Sequence, residues 1–270
     1  MTGEAGPRYH REDRRDEPVR ELLRTGIAEI TAGSPLSTGA PLSSGSPSRR
    51  EELLATYLEE LFRSSRVYGL ISAEDSRDRS TLAVRHILDS AVGAPLLADI
   101  LDRYERSVLF DLGSGAGLPG IPLAILLGER LDRCYLVERK EKRVRFLETV
   151  TETLGLESVR ILQADSVRPS REAGTLFRSE PPPVVVFRAY QQTTDAMLSG
   201  LARVFPEGTR VVAWKGLRAS VGTEAELIRA HPDVTMERIV DVQVPFLDRE
   251  RTLLVFNTVL QTSGRHGQRR

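Results

Sequence analysis

Many kinds of site are ruled out by what this sequence has little of. Its 270 residues include one cysteine, Cys134, set in an apolar run. An intramolecular disulfide is thereby excluded, as suits a reducing compartment. The four histidines, His10, His86, His231 and His266, are scattered, so zinc is offered no ligand cluster and no metal is expected. Lysine is almost missing: positive charge is nearly all arginine, and the only lysines are Lys140, Lys142 and Lys215. An excess of either sign is missing too, with 38 Lys and Arg against 38 Asp and Glu for a formal net charge of +0. A global basic field is excluded, so any contact with nucleic acid must come from a local patch. No apolar run is long and charge-free enough to span a bilayer. The amino end has no basic-then-apolar signal order and is too acidic for a transit peptide. The expectation is a cytoplasmic chain without membrane contact, monomeric by default.

The chain does hold enough apolar residues for a core. At 40% hydrophobic residues, it can build one substantial domain with an extension. Residues 1–17 are polar and charged and are expected to form a disordered tail. Residues 18–104 read as a helical extension, with apolar periodicity over 18–31, 49–62 and 81–92. A Ser/Pro/Gly-rich linker at 32–48 interrupts it. Residues 105–260 change to alternating strands and helices. Strands are expected at 108–112, 134–138, 159–164, 184–189 and 210–215. Helices are expected over Pro119 to Leu127, Lys140 to Leu154, a stretch ending at Phe205, and 223–229. Strands 234–244 and 251–258 follow, and residues 261–270 form a basic tail. Such alternation predicts an α/β fold, a mostly parallel sheet with helices on both faces. Ligands then sit at the carboxyl ends of the strands, at the topological switch point.

The densest signal is Asp111-Leu-Gly113-Ser114-Gly115-Ala-Gly117-Leu118-Pro-Gly120, between the first strand and its helix. Its glycines let the backbone turn sharply and approach a ligand closely. Gly115-x-Gly117-x-x-Gly120 also fits the dinucleotide fingerprint, a weak match when alone. Two features favour S-adenosylmethionine over a nicotinamide. Asp111 precedes Gly113 by two residues, giving D-x-G-x-G-x-G. Pro119 removes a backbone N–H where a pyrophosphate would want one. Glu138 ends the second strand, where an acid can accept from ribose hydroxyls; its plain alternative is a solvated strand end. Asp165 follows the third strand and can accept from an adenine amine or cap a helix.

These residues resemble the family of 16S ribosomal RNA guanine-N7 methyltransferases, also known as glucose-inhibited division protein B. Several pieces carry the resemblance, in the family's order. They are Val84-Arg-His-Ile-Leu-Asp-Ser90, Asp111 to Leu123, Lys142-Arg143-Val-Arg-Phe-Leu147, Arg188-Ala189, Trp214-Lys215-Gly216 and Val244 to Arg251. The resemblance implies a Rossmann-like class I methyltransferase sheet and S-adenosylmethionine as cofactor. It implies that Gly113, Leu118, Ser166, Val167 and Arg188 line the cofactor pocket, with Ser114, Gly115, Gly117, Glu138 and Asp165 beside them. It also implies a basic surface of Lys142, Arg143, Arg188, Lys215 and Arg251 for ribosomal RNA of the small subunit. The chain departs from the family at Ala164-Asp165-Ser166-Val167, at Phe187 and at Thr252, so Ser166 and Val167 are placed by position.

Guanine N7 carries a lone pair and no proton, so its methylation needs alignment but no general base. A donor on N7 would block the nucleophile, so Arg188 or Lys215, the candidate catalytic cations, should meet O6 or phosphate instead. The target guanine should be unstacked. His86 and Asp89 lie three apart on a helix and should share a face in a structural hydrogen bond. Rival readings are a methyltransferase for a small molecule or protein, a nicotinamide oxidoreductase, and an RNA-binding protein that keeps only the fold.

Overall fold

A computed structural model describes residues 13–32, 46–103, 107–166, 168–178, 181–188, 192–216, 218–248 and 250–259. The amino-terminal part is helical. Helix α1 (Asp13–Ala32) buries a stripe of Val19, Leu23, Ile27 and Ile30. It begins inside the tail expected to be disordered. Once that stripe is held, each added residue gains a hydrogen bond at little entropic cost, so the polar turn before it can follow. Residues 1–12, most of the expected linker and the basic tail lie outside the described residues. Helix α2 (Pro47–Tyr68) starts with Pro in its first turn and stops at Gly69, whose φ of 62° sets its N–H on Ser65 O.

The helix expected over 81–92 is three pieces in continuous succession. Asp78 caps α3 (Arg79–Leu82) by accepting from Thr81 N at 2.7 Å. A π-helical turn, Ala83–Leu88, follows, and α4 (Asp89–Ala91) completes it. Helix α5 (Ala94–Leu101) comes next.

The sheet has seven strands in the order β3-β2-β1-β4-β5-β7-β6. They are β1 (Val108–Leu112), β2 (Arg133–Glu138), β3 (Val159–Gln163), β4 (Val184–Arg188), β5 (Arg210–Lys215), β6 (Val234–Gln243) and β7 (Glu250–Thr258). The first five run parallel, and β7 is antiparallel to both β5 and β6. Central β4 is buried along Val184 to Phe187, the continuous apolar run of a strand covered on both faces. Chain order reverses between β1 and β4, so their tips flank the switch point.

Two apolar layers cover the sheet. On one face α6 (Gly120–Leu127) and α7 (Glu141–Leu154) pack with the amino-terminal helices, in one cluster with Leu109, Leu136, Val186 and Val255. On the other, α8 (Arg171–Phe177), α9 (Asp195–Val204) and α10 (Arg218–Ala230) bury Phe177, Leu201 and Ile228 against Phe110, Val185 and Val211. Helix α8 was not expected, since seven residues with Gly174 inside are too short to show a period. Helix α10 starts at Arg218, not Thr223, despite Gly222 in its interior. The first sheet helix starts at Gly120; Pro119 precedes it through a cis peptide bond with Leu118.

Candidate active site

The loop leaving β1 is bent by glycine. Gly113, Gly115 and Gly117 have φ of 68°, 59° and 90°, the left-handed region that side chains resist. The N–H groups of Gly113 and Ser114 both donate to Val137 O on β2, at 2.8 and 3.1 Å. Ser114 Oγ donates to Asp111 O at 2.8 Å. Asp111 lies beneath the loop, fully buried, with Oδ2 accepting from Gly120 N at 3.0 Å. Its Oδ1 has no partner among the described residues. Burial pushes the carboxyl up to about 7, against the Gly120 hydrogen bond. The amino-terminal helices secure the loop from outside, where Tyr57 on α2 donates to Ala116 O at 2.8 Å.

Glu138 stands at the tip of β2 with 4% of its surface exposed. Its Oε2 accepts from Gly115 N at 3.1 Å and its Oε1 from Lys140 N at 2.8 Å. Arg143 Nη1 approaches Oε2 to 3.6 Å. Each carboxylate oxygen has a further lone pair, so the acid keeps acceptors for a ligand's hydroxyls. That spare capacity, the orphaned Asp111 oxygen and the open space around Gly115 fit a cationic nucleoside. A Cβ built on Gly115 meets nothing nearer than 3.7 Å.

Across the switch point, Arg188 ends β4. Its Nη1 donates to Asp89 Oδ2 at 2.8 Å and to Arg85 O at 3.2 Å. Arg251 on β7 donates from Nε to the other oxygen, Asp89 Oδ1, at 2.7 Å. Trp214 on β5 donates from Nε1 to Asp89 O at 3.0 Å. The buried Asp89 therefore gathers three strands onto the end of the π-helical turn. His86 and Asp89 do not bond to each other as expected, because Arg188 lies between them and Nη2 is 3.3 Å from His86 Nδ1. His86 Nε2 is 3.0 Å from Asp75 Oδ2, and Arg85 Nη1 is 2.5 Å from Asp75 Oδ1. Burial, and then the Arg188 charge, hold His86 below its ordinary pKa. The neutral ring thus accepts at Nδ1 and donates at Nε2. Among the described residues, the guanidiniums of Arg85, Arg188 and Arg251 gather around the carboxylates of Asp75 and Asp89 here.

Lys215, at the tip of β5, is committed. Its Nζ is 2.5 Å from Glu224 Oε2 and 3.0 Å from Thr193 Oγ1, with only 10% of the side chain exposed. Thr193 also donates to Glu224 Oε2. Burial raises the Glu224 carboxyl, but the Lys215 and Thr193 hydrogen bonds and the Lys215 charge outweigh it and leave it below its ordinary value.

The structure therefore brings Gly113, Ser114, Gly115, Gly117, Leu118, Glu138 and Arg143 together at the β1 and β2 tips. It sets Arg188, Lys215 and Arg251 on neighbouring strands. Ser166 is buried beyond β3. Asp165 caps no helix: its Oδ1 accepts from Arg168 N at 3.0 Å in a turn, and Ser170 caps α8. Val167 lies outside the described residues, and Lys142 is exposed on α7. Asp75, Asp89, Thr193, Glu224 and Tyr57 were missed as site residues. Only Asp89 had a signal, its place in the Val84–Ser90 segment. Among the described residues no cluster of His, Cys, Asp and Glu could hold a metal, and no helix is long and apolar enough to cross a membrane.

The chain is similar to known proteins. A family model described as rRNA small subunit methyltransferase G matches residues 50–255. The ribosomal RNA small subunit methyltransferase G of Yersinia pseudotuberculosis serotype O:3 is 37% identical over 214 residues, 78% of this chain and 91% of its own length. That of Yersinia pestis strain Pestoides F is 36% identical over the same shares. A crystal structure of a SAM dependent methyltransferase from Aquifex aeolicus overlays with a TM-score of 0.43 at 15% identity, over 75% of this chain and 97% of that one. With the family model and these relatives covering most of its length, the chain belongs to the rRNA small subunit methyltransferase G family.

Proposed function

We propose that this chain methylates N7 of a guanine in 16S ribosomal RNA, with S-adenosylmethionine as donor, in the cytoplasm. The observation that carries the reading is the division of the strand tips. Gly115 and Glu138 make a ligand cradle on one side of the switch point, and the Arg188–Asp89–Arg251 group sets two guanidiniums on the other. S-adenosylmethionine would supply an electrophilic methyl on a sulfonium. Glu138 would hold the ribose hydroxyls, and Asp111, Gly113, Leu118 and Ser166 would line the remainder. Arg188 would meet guanine O6 or a phosphate with the N–H groups that Asp89 leaves over. A reaction without a general base suits this edge, where the neutral His86 spends both ring nitrogens on Asp75 and Arg188. Lys215, tied to Glu224, supports the edge rather than reaching out as a free cation.

The test is transfer of labelled methyl from S-adenosylmethionine to small subunits, with the modified nucleoside mapped by mass. Alkali-labile 7-methylguanosine is expected. Label at another position would overturn the N7 reading but keep ribosomal RNA as substrate. Arg188→Ala should lower transfer about 100-fold while leaving S-adenosylhomocysteine binding within a few-fold.

A further inference from the structure

A second concentration of positive charge runs from beyond the tip of β3 along the face of the sheet opposite the amino-terminal helices. An open groove of about 580 Å³ runs between α8 and the end of α9, and four arginines line it: Arg168, Arg171, Arg178 and Arg203. Among the described residues no acidic side chain lines it. Arg168, Arg171 and Arg178 are exposed and have no carboxylate partner among the described residues. Among the described residues the one bond of the Arg178 guanidinium is from Nη2 to Arg203 O, at 2.7 Å. Its extent follows from the fold. Arg171 opens α8 and Arg178 follows its last residue, so the two stand about 10 Å apart along a helix of this length. Arg168 begins the groove three residues after Asp165, beside the cofactor edge. A neighbouring hollow of about 480 Å³ shares Arg178 and Arg203 and carries Glu207 and Asp233. Asp233 is 2% exposed and already accepts from Ser199 Oγ. The acids thus mark where the basic track stops.

We infer that this groove binds the phosphate backbone of the ribosomal RNA strand that enters the active site, as a second anchor beside it. A chain with no net charge has no general attraction for RNA. Unpaired guanidiniums along one groove supply phosphate contacts where they are needed. Being planar donors, they suit phosphate oxygens in pairs. This inference rests on ribosomal RNA being the substrate.

The full chain is compared with an Arg168→Ala/Arg171→Ala/Arg178→Ala variant and with the matching triple Lys variant. Binding of a single-stranded RNA oligonucleotide is measured from 50 to 200 mM salt, and methyl transfer to small subunits is measured separately. Three lost single-strand contacts reduce the salt slope by about 2, so affinity between those salts should fall about 20-fold less in the alanine variant than in the unaltered chain. The KM for subunits should rise at least 10-fold with kcat held, and the Lys variant should recover most of the slope. Equal slopes and equal KM in the alanine variant would overturn the groove while leaving the methyltransferase reading intact. Loss of slope in a chain that methylates no ribosomal RNA would overturn that reading and, with it, the ribosomal strand as the groove's occupant. A polyglutamate competitor that displaces nothing is expected. If it bound through these arginines while the RNA slope stayed unchanged, the partner would be an acidic protein segment and the inference would fall.

Discussion

A Cβ built on Gly117 would stand 2.3 Å from Ile121 Cδ1 and 3.2 Å from Leu147 Cδ2, whereas one on Gly115 would meet only Arg143 Nη1 and Gly113 O, at an ordinary contact distance of 3.7 Å. The same motif letter therefore serves packing at one position and ligand access at the other. Gly117→Ala should lower stability by about 1–3 kcal/mol, from overpacking and the positive φ. Gly115→Ala should leave a folded chain that binds S-adenosylhomocysteine at least 10-fold more weakly. Denaturant melts and calorimetry separate the two, and reversed effects would contradict the assignment. Asp111 allows a second separation, by pH. An unfolded aspartate ionises near 3.8, and in the folded chain this one does so near 7. The native state keeps a proton that the unfolded state releases, so its stability is full below about pH 4 and drains as pH rises toward 7. Asp111→Asn can keep the Gly120 bond and carries no charge. From pH 5 to 7.5 the unaltered chain should lose stability relative to this variant, on the order of 3 kcal/mol. Parallel profiles would remove the buried-acid assignment.

Between elements, Asp89 does the joining. It ends the π-helical turn, holds Arg188 from β4 and Arg251 from β7, and lies almost wholly buried. Asp89→Ala would remove the buried carboxylate that Arg188 and Arg251 share, a loss of about 3–5 kcal/mol. Asp89→Asn is the finer probe. It should keep the fold and cofactor affinity while lowering kcat at least 10-fold, since Arg188 would lose its charged anchor. Normal turnover in that variant would reduce Asp89 to packing. The contact partners explain what was legible in the sequence and what was not. The glycine loop could be read because its residues are contiguous in sequence, and Glu138 because it ends the next strand, 23 residues after Gly115. The Asp89 pairs span 99 and 162 residues, and one sequence carries no mark of such a pairing. Strand β4 could be read because Val184 to Phe187 is apolar throughout. The π-helical turn could not, since Ala83, Val84, Ile87 and Leu88 keep ordinary helical spacing. Helix α8 is held by Ala173 and Phe177 packing on the sheet, a tertiary cause with too few residues to leave a period.

At the scale of the whole molecule, the helical extension and the sheet share one interior. A single apolar cluster runs from Leu23 and Ile27 on α1, through Leu54 and Leu61 on α2, to Leu109 on β1 and Val255 on β7. Tyr57, buried in that cluster, also bonds the glycine loop, and Gly93 leaves room for Trp214 of β5, whose ring a Cβ there would meet at 2.2 Å. Elements that bury the same surface melt together, because removing either exposes the other's apolar face to water. Calorimetry of the full chain should therefore show one transition. Leu54→Ala, far from the strand tips in sequence, should lower the midpoint of the whole by the equivalent of about 2–5 kcal/mol. S-adenosylhomocysteine at 100 times its Kd should raise that same transition by about 2.7 kcal/mol. Two resolved transitions, with the ligand moving only the second and Leu54→Ala only the first, would show that the extension and the sheet fold as independent units. The Tyr57 hydrogen bond would then lose its claim to steady the loop, since a helix that melts separately cannot hold it.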